Sequence, residues 1–461
     1  MVKLTKKQTE QLSGMSHEAL LTALHDLIQD NKQAKDALIN GYLSSTSDRL
    51  KAIEKEYARR AKSKRFYDYY DADSLFDELT RSIAKPLEKL ANTLPEQVEG
   101  LAVKIMLEFE DFTGNVDTSS GSWMDYYQVL FDAWMKSLAA QKKSEPVFIA
   151  KKIFTVIERE FYFSFEIFQH YRQLLGTDIL RAVRDMYYQK KHIQESLGIS
   201  VIIKDINFIK TTYKKGEFSH PDHYFDYARL LLEEVRADEA IELLSGMDKR
   251  YTNNSKWNEL FVSALLEDGR KEEAKEHAIK AFAFFYTVSL YQLYKKASGN
   301  DGDNIQAFLD IAKNKGLIVY IRFAIEVERF DLIDDCVTST PKEQLVNAFE
   351  SMSGSSVRTL SSELYKYGYA LSATLLRRFL VEENILQSKS KYYSYAASDM
   401  KKAIDYSEGL EESLLLPGTQ RYLRTLFETH KRKVSLWPLM VAKIAGLSIQ
   451  SGVIYYNGSQ E

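Results

Sequence analysis

Leu231-Leu232-Glu233-Glu234-Val235-Arg236-Ala237-Asp238-Glu239-Ala240 and Leu265-Leu266-Glu267-Asp268-Gly269-Arg270-Lys271-Glu272-Glu273-Ala274 are two copies of one pattern, offset by 34 residues (231 against 265). Each copy runs from a leucine pair through acidic residues to a break, then an arginine, an acidic turn and an alanine. That order predicts the end of one helix, a tight turn and the start of a second. With Ala240 and Ala274 on equivalent positions, Tyr227 and Phe261 fall on a large apolar site of the first helix, and Leu231 and Leu265 lie one turn later. A small residue is needed at the alanine, where the two helices cross closely. A third echo places Leu364, Gly368 and Ala373 where Leu231, Val235 and Ala240 stand, and Phe323 to Asp331 reads as a degenerate fourth copy.

A period of 34 is that of the tetratricopeptide repeat, which these helix pairs resemble. The resemblance implies an all-α fold: an N-terminal helical region followed by a tetratricopeptide-like α-solenoid. The expected division is an N-terminal region over 1–145, connecting helices over 146–218, and repeats over 219–461 closed by a C-terminal capping helix. Stacked helix pairs present a groove that binds protein segments. In this register Tyr224, Arg229 and Asn258 are the groove-facing candidates. The expected function is therefore a non-enzymatic interaction scaffold, with a partner protein or a second copy of the chain as occupant.

Composition agrees with a folded helical chain. Of 461 residues, 45% are hydrophobic and 28% charged, which supports a packed core and argues against wholesale disorder. Only 7 prolines interrupt it, as helices require. A net charge of −3 gives no global field toward nucleic acid or anionic lipid. The single Cys336 excludes an internal disulfide and any multi-cysteine zinc site. The first residues lack an apolar core of the signal-peptide kind, and no apolar run is long enough to cross a membrane. A cytoplasmic protein without membrane contact is the expectation.

Along the chain, Ser16 is set to cap a helix carrying Leu20, Leu24 and Leu27. A second helix runs from about Thr46 to Lys62 with Leu50, Ile53 and Tyr57 on one face. Longer helices follow over 71–92, 95–113 and 123–140, and Pro146 opens another. Residues 199–209 are rich in β-branched side chains; their neighbourhood favours helix, a lone strand being the other option. Residues 387–391 and 407–421 read as connections, a helix carries the run Lys431 to Lys433, and the tail from Tyr455 should fray.

Three stretches resemble a bacterial helical family of unknown function, related to the C-terminal region of some SWIM zinc-finger proteins. They are Arg59-Arg60-Ala61-Lys62-Ser63-Lys64-Arg65-Phe66-Tyr67-Asp68-Tyr69, Val116-Asp117-Thr118-Ser119-Ser120-Gly121, and the segment from Tyr422 to Trp437. Thr118 and Leu436 depart from the family pattern, and one cysteine cannot supply a zinc finger. The resemblance implies a fold and leaves the activity unassigned.

The first stretch is a candidate partner surface: Arg59, Arg60, Lys62, Lys64 and Arg65 stand directly before Phe66, Tyr67, Tyr69 and Tyr70. Interleaved cations and rings can hold phosphates and stack bases, making nucleic acid the alternative partner. Read structurally, the cations complement a helix C-terminus and the rings enter the core. His430, Lys431 and Arg432 form a second basic cluster beside Trp437, which should dock the last helix. The Asp117–Gly121 loop reads as the cap of the helix at Trp123, with Ser119, Ser120 or Ser122 as the capping hydroxyl. His220, Asp222 and His223 flank a helix start without metal-ligand spacing, and Gly299 to Asn304 reads as an Asx-rich turn. Cys336 reads as a structural thiol. No cofactor, metal or catalytic residue is expected, although an enzyme with an unrecognised site is a third reading.

Overall fold

In the computed structural model, residues 5–29, 31–39, 43–141, 145–159, 165–299, 304–387 and 389–458 are described. The fold is all-α, with one two-stranded hairpin among the described residues. The chain divides into two compact units, Met1–Leu230 and Leu231–Glu461.

The first unit is built around the helix Trp123–Ala140. Helices Tyr69–Leu79, Lys85–Leu90, Pro95–Leu107 and Ile167–Leu175 all pack on it. Its Tyr126, Phe131 and Trp134 are fully buried beside Phe76 and Phe168, so burial of large aromatic area holds this core. Thr46–Ala61 adds Leu50, Ile53 and Tyr57 to the same core, as the sequence spacing requires. Tyr69–Leu79 and Lys85–Leu90 join through a π-helical turn over Thr80–Ala84. Residues 199–209 are helical but broken: Ile193–Ile203 ends at Lys204, and Ile206–Lys214 begins beyond Asp205. Asp205 accepts the Phe208 amide (3.2 Å) and pairs with the buried Arg184 (2.6 Å), so a cap and a counter-charge select helix over strand.

In the second unit successive helices pack on their neighbours. Ala237–Ser245 meets Ser255–Glu267, which meets Lys271–Phe285, and Gly354–Lys366, Ala370–Leu386 and Ser390–Ser407 follow one another in the same way. The 34-residue offset holds at the helix starts: Pro221 and Ser255 open the first helices, Ala237 and Lys271 the second. Ala240, Ala274 and Ala373 are fully buried.

The turns share one hydrogen-bonded joint. The amide of Arg236 donates to the Leu231 carbonyl and that of Val235 to Leu232, with Val235 at φ +58°. Arg270, Gly269 and Leu265 repeat it, as do Arg329, Glu328 and Ala324, and Tyr369, Gly368 and Leu364. This is the Schellman ending, a left-handed residue that turns the chain out of the helix. The residue after it is at once the N-cap position of the next helix. Earlier in the chain Lys191 and Lys204 make the same joint.

Three helices of this unit converge on a buried carboxylate. Asp399 receives both arms of Arg358 (2.9 and 2.7 Å) and Arg377 (2.8 Å), and is itself almost fully buried. Arg377 also donates to the hydroxyls of Ser361 and Ser362. A buried charge persists only when paired in this way.

The tail does not fray where expected. Leu447–Gln450 (β1) pairs antiparallel with Val453–Tyr456 (β2) through a Ser451-Gly452 turn in which both residues have positive φ. That geometry matches the twist of a two-residue hairpin, and Leu447 and Ile454 anchor it in the core of the last helices. Residues 459–461 lie outside the described residues.

Candidate functional site

The basic–aromatic stretch begins at the end of Thr46–Ala61. Arg59 and Arg60 both pair with Glu56 there, and Arg60 also meets Glu78. The Arg59 hydrogen bond, aided by Arg60, holds the Glu56 carboxyl down to about 2. These two arginines are therefore spent on the helix. Lys62 ends the helix in a turn, and no further helix forms before Tyr69. Tyr67 forms a parallel bridge to Val116: its amide donates to the Asn115 carbonyl (3.0 Å), and its carbonyl accepts from the Asp117 amide (2.9 Å). The basic–aromatic stretch and the Val116–Gly121 loop thus meet directly. Arg65 lies over the Tyr67 ring (4.8 Å) and pairs with Asp71 (2.7 Å), and Asp68 caps Tyr69–Leu79 through the amides of Tyr70 and Asp71.

The rings do not enter the core. Phe66 is 68% exposed, Tyr70 83% and Tyr69 47%, and only Tyr67 is half-buried. Lys62 and Lys64 are exposed and have no partner among the described residues. The reading of these rings as core is corrected. Asp68 ends the stretch by capping the next helix, and that places its two tyrosines on the helix's outer first turn.

The neighbouring loop is also not the cap expected of it. Asp117 caps the short 3-10 turn Thr118–Ser120, accepting the amide and hydroxyl of Ser119. Those bonds keep its carboxyl below the usual range. Ser122 holds the N-cap position of Trp123–Ala140 without a side-chain bond, and Gly121, at φ +77°, accepts the Met124 amide through its carbonyl instead.

The groove candidates are occupied locally. Tyr224 packs edge-on against Phe218 (5.0 Å) and Tyr213 (5.9 Å). Arg229 is exposed and pairs with Asp226 (2.8 Å). Asn258 is buried, donating to the carbonyls of Thr252 and Asn254 while its oxygen meets His277 (2.8 Å). His223 accepts the Ser219 amide, and His220 lies 3.2 Å from Asp222. Asn300 to Asp303, most of the Asx-rich turn, lie outside the described residues.

At the C-terminal cluster, Lys431 and Arg432 are exposed. His430 is half-buried, its imidazole pushed below its ordinary value by burial and by Lys433. Its carbonyl accepts the Trp437 indole N–H (3.1 Å), and Trp437 packs edge-on against Phe427 (4.8 Å). This docks the last helix as expected. Cys336 is half-buried, with burial pushing its thiol up.

A site the sequence reading did not find lies in the second unit. A cleft of about 610 Å³ is walled by Val337, Leu345, Phe349, Leu375, Phe379 and Tyr422, and roofed by the 408–418 connection through Leu414, Leu415 and Pro417. Arg378, buried beneath, donates to the Pro417 carbonyl (2.7 Å) and lies over the Tyr422 ring (4.3 Å). Lys342 pairs with Glu382 (2.8 Å) at the margin, and Arg421, also lining the cleft, is exposed and its side chain has no partner among the described residues. The signal was the run Leu414-Leu415-Leu416 inside a stretch read as a flexible connection. Leu414 is fully exposed and Leu416 buried.

No curated protein and no solved structure matches the chain. Among the described residues no helix is long and apolar enough to cross a membrane. Residues 199–439, which include the repeated helix pairs, the Asp399 centre and the cleft, match the Family of unknown function (DUF6880), and the chain belongs to that family.

Proposed function

We propose that the chain is a non-catalytic protein-interaction scaffold built on a tetratricopeptide-like array of helix pairs, with the cleft under the 408–418 connection as its recognition site. The observation that carries this is the cleft's make-up: apolar walls from several helices and one cation without a side-chain partner among the described residues, Arg421, at the lining. An apolar pocket with few polar groups is the form of a binding site. The occupant it suits is a partner segment with bulky apolar side chains followed by an acidic residue, which Arg421 would meet. Exposed Leu414 and Leu415 on the roof add area for the same side chains.

The test is selection from a random peptide library on the full chain, followed by fluorescence polarisation. Enriched peptides should carry an apolar pair followed by an acidic residue. Leu345→Glu should abolish their binding, and Arg421→Glu should weaken it by about fivefold, as for a rim charge of at most about 1 kcal/mol. No enrichment, or binding indifferent to Leu345→Glu, overturns the reading. Self-association abolished by Leu414→Asp would assign the cleft to a second copy.

A further inference from the structure

The segment 62–70 is held in place more firmly than its exposure suggests. One end follows a helix whose Arg59 and Arg60 are tied to Glu56. Its middle is bridged to Asn115 and Asp117 through Tyr67. Its other end is fixed by the Asp68 cap. On this fixed backbone stand three exposed rings and two ammonium groups without partners among the described residues. Three large rings in five residues are normally buried, because ring burial is among the largest contributions to folding. Of the nearby carboxylates, Asp68 is held in the cap and Asp71 pairs with Arg65, while Asp73 is exposed.

We propose that this segment is a platform for single-stranded nucleic acid, with bases stacking on Phe66, Tyr69 and Tyr70 and phosphates held by Lys62 and Lys64. Each ring has a face on which any base can stack, Tyr69 and Tyr70 meeting edge to face (5.4 Å), and the lysines directly before the rings can take the phosphates of the same strand. A duplex keeps its base faces stacked on each other and has none to offer. A lipid-binding helix lays a continuous apolar face into the interface, whereas Phe66 precedes the helix and Tyr69 and Tyr70 stand in its first turn. The platform is separate from the peptide cleft, and neither proposal depends on the other.

Fluorescence polarisation of the full chain with labelled oligo(dT), oligo(rU) and a mixed-sequence duplex, with flotation on phosphatidylserine vesicles in parallel, tests the assignment. Single strands should bind at low salt, with log affinity falling against log salt at a slope near −1.4 for two phosphate contacts. Comparing the two oligonucleotides shows whether the sugar is read. Phe66→Ala and Tyr70→Ala should each weaken binding about tenfold, as expected for loss of a stacked base. Lys62→Gln with Lys64→Gln should flatten the salt slope while leaving ring-dependent binding measurable. All four side chains are exposed, so circular dichroism should show the variants folded. The proposal fails if no single strand binds, if binding is unchanged in the ring variants, or if duplex or vesicles bind better than single strands.

Discussion

Val235 is a β-branched residue at φ +58° and is 84% exposed. Left-handed backbone crowds the Cβ of any L-residue, at a cost of about 1–2 kcal/mol. At this site an outward-pointing valine returns no burial in compensation. The equivalent position one repeat later is Gly269, at φ +81°, where the crowding does not arise. Val235→Gly should therefore stabilise the protein by about 1 kcal/mol, and Gly269→Val should destabilise it by a similar amount. Paired urea titrations check both, and a stability loss in Val235→Gly would overturn the strain argument. The neighbouring Arg236 and Arg270 have no side-chain oxygen to cap a helix. Each instead reaches a glutamate three residues on, Glu239 and Glu273, whose charge sits well at a helix start.

At the scale of elements, the joint made by these residues explains why so much of the fold was legible. Leucine pair, break, arginine and acidic turn are local features, and they locate both helix ends at once. The same joint at Lys204-Asp205 was hidden because the β-branched run around it suits strand as well as helix. Only the distant Arg184 discloses Asp205 as a cap with a counter-charge. The C-terminal hairpin escaped for a different reason: Ser451-Gly452 is a turn signal, but each strand has only four residues. In the basic–aromatic stretch the pattern misplaced the rings, because sequence alone does not say which side of a capped first turn faces outward. The helix preceding it carries a pH dependence. Glu56 is held well below the usual carboxylate value in the folded state, so its contribution is present above about 4.5 and is lost as pH falls through about 2. Glu56→Gln should be less stable than the parent at pH 7, and the difference should vanish at the acid end of that window. Chemical denaturation across the range measures it, and a difference that persists unchanged at low pH would refute the pairing.

At the scale of the whole molecule, the long-range features were the least legible. Arg358, Arg377 and Asp399 lie on three successive helices, and nothing in their local sequence singles them out among 62 basic and 65 acidic residues. Removing the carboxylate leaves a buried guanidinium without a counter-charge, so Asp399→Asn should cost about 3–5 kcal/mol. Denaturation monitored by far-ultraviolet circular dichroism would show it, and a loss below about 1 kcal/mol would overturn the argument that the carboxylate offsets the buried charges. The cleft escaped for the same reason, since its walls come from residues 337 to 425 and only folding gathers them. The bridge between Tyr67 and Val116 also has a consequence in time. Tyr67 and Asn115 are separated by 48 positions (115 less 67), and a ribosome adding about 5–20 residues per second needs several seconds to make them. During that interval the three rings have been synthesised but their support has not. Until the bridge closes, the new chain carries an aromatic segment that lacks its backbone support.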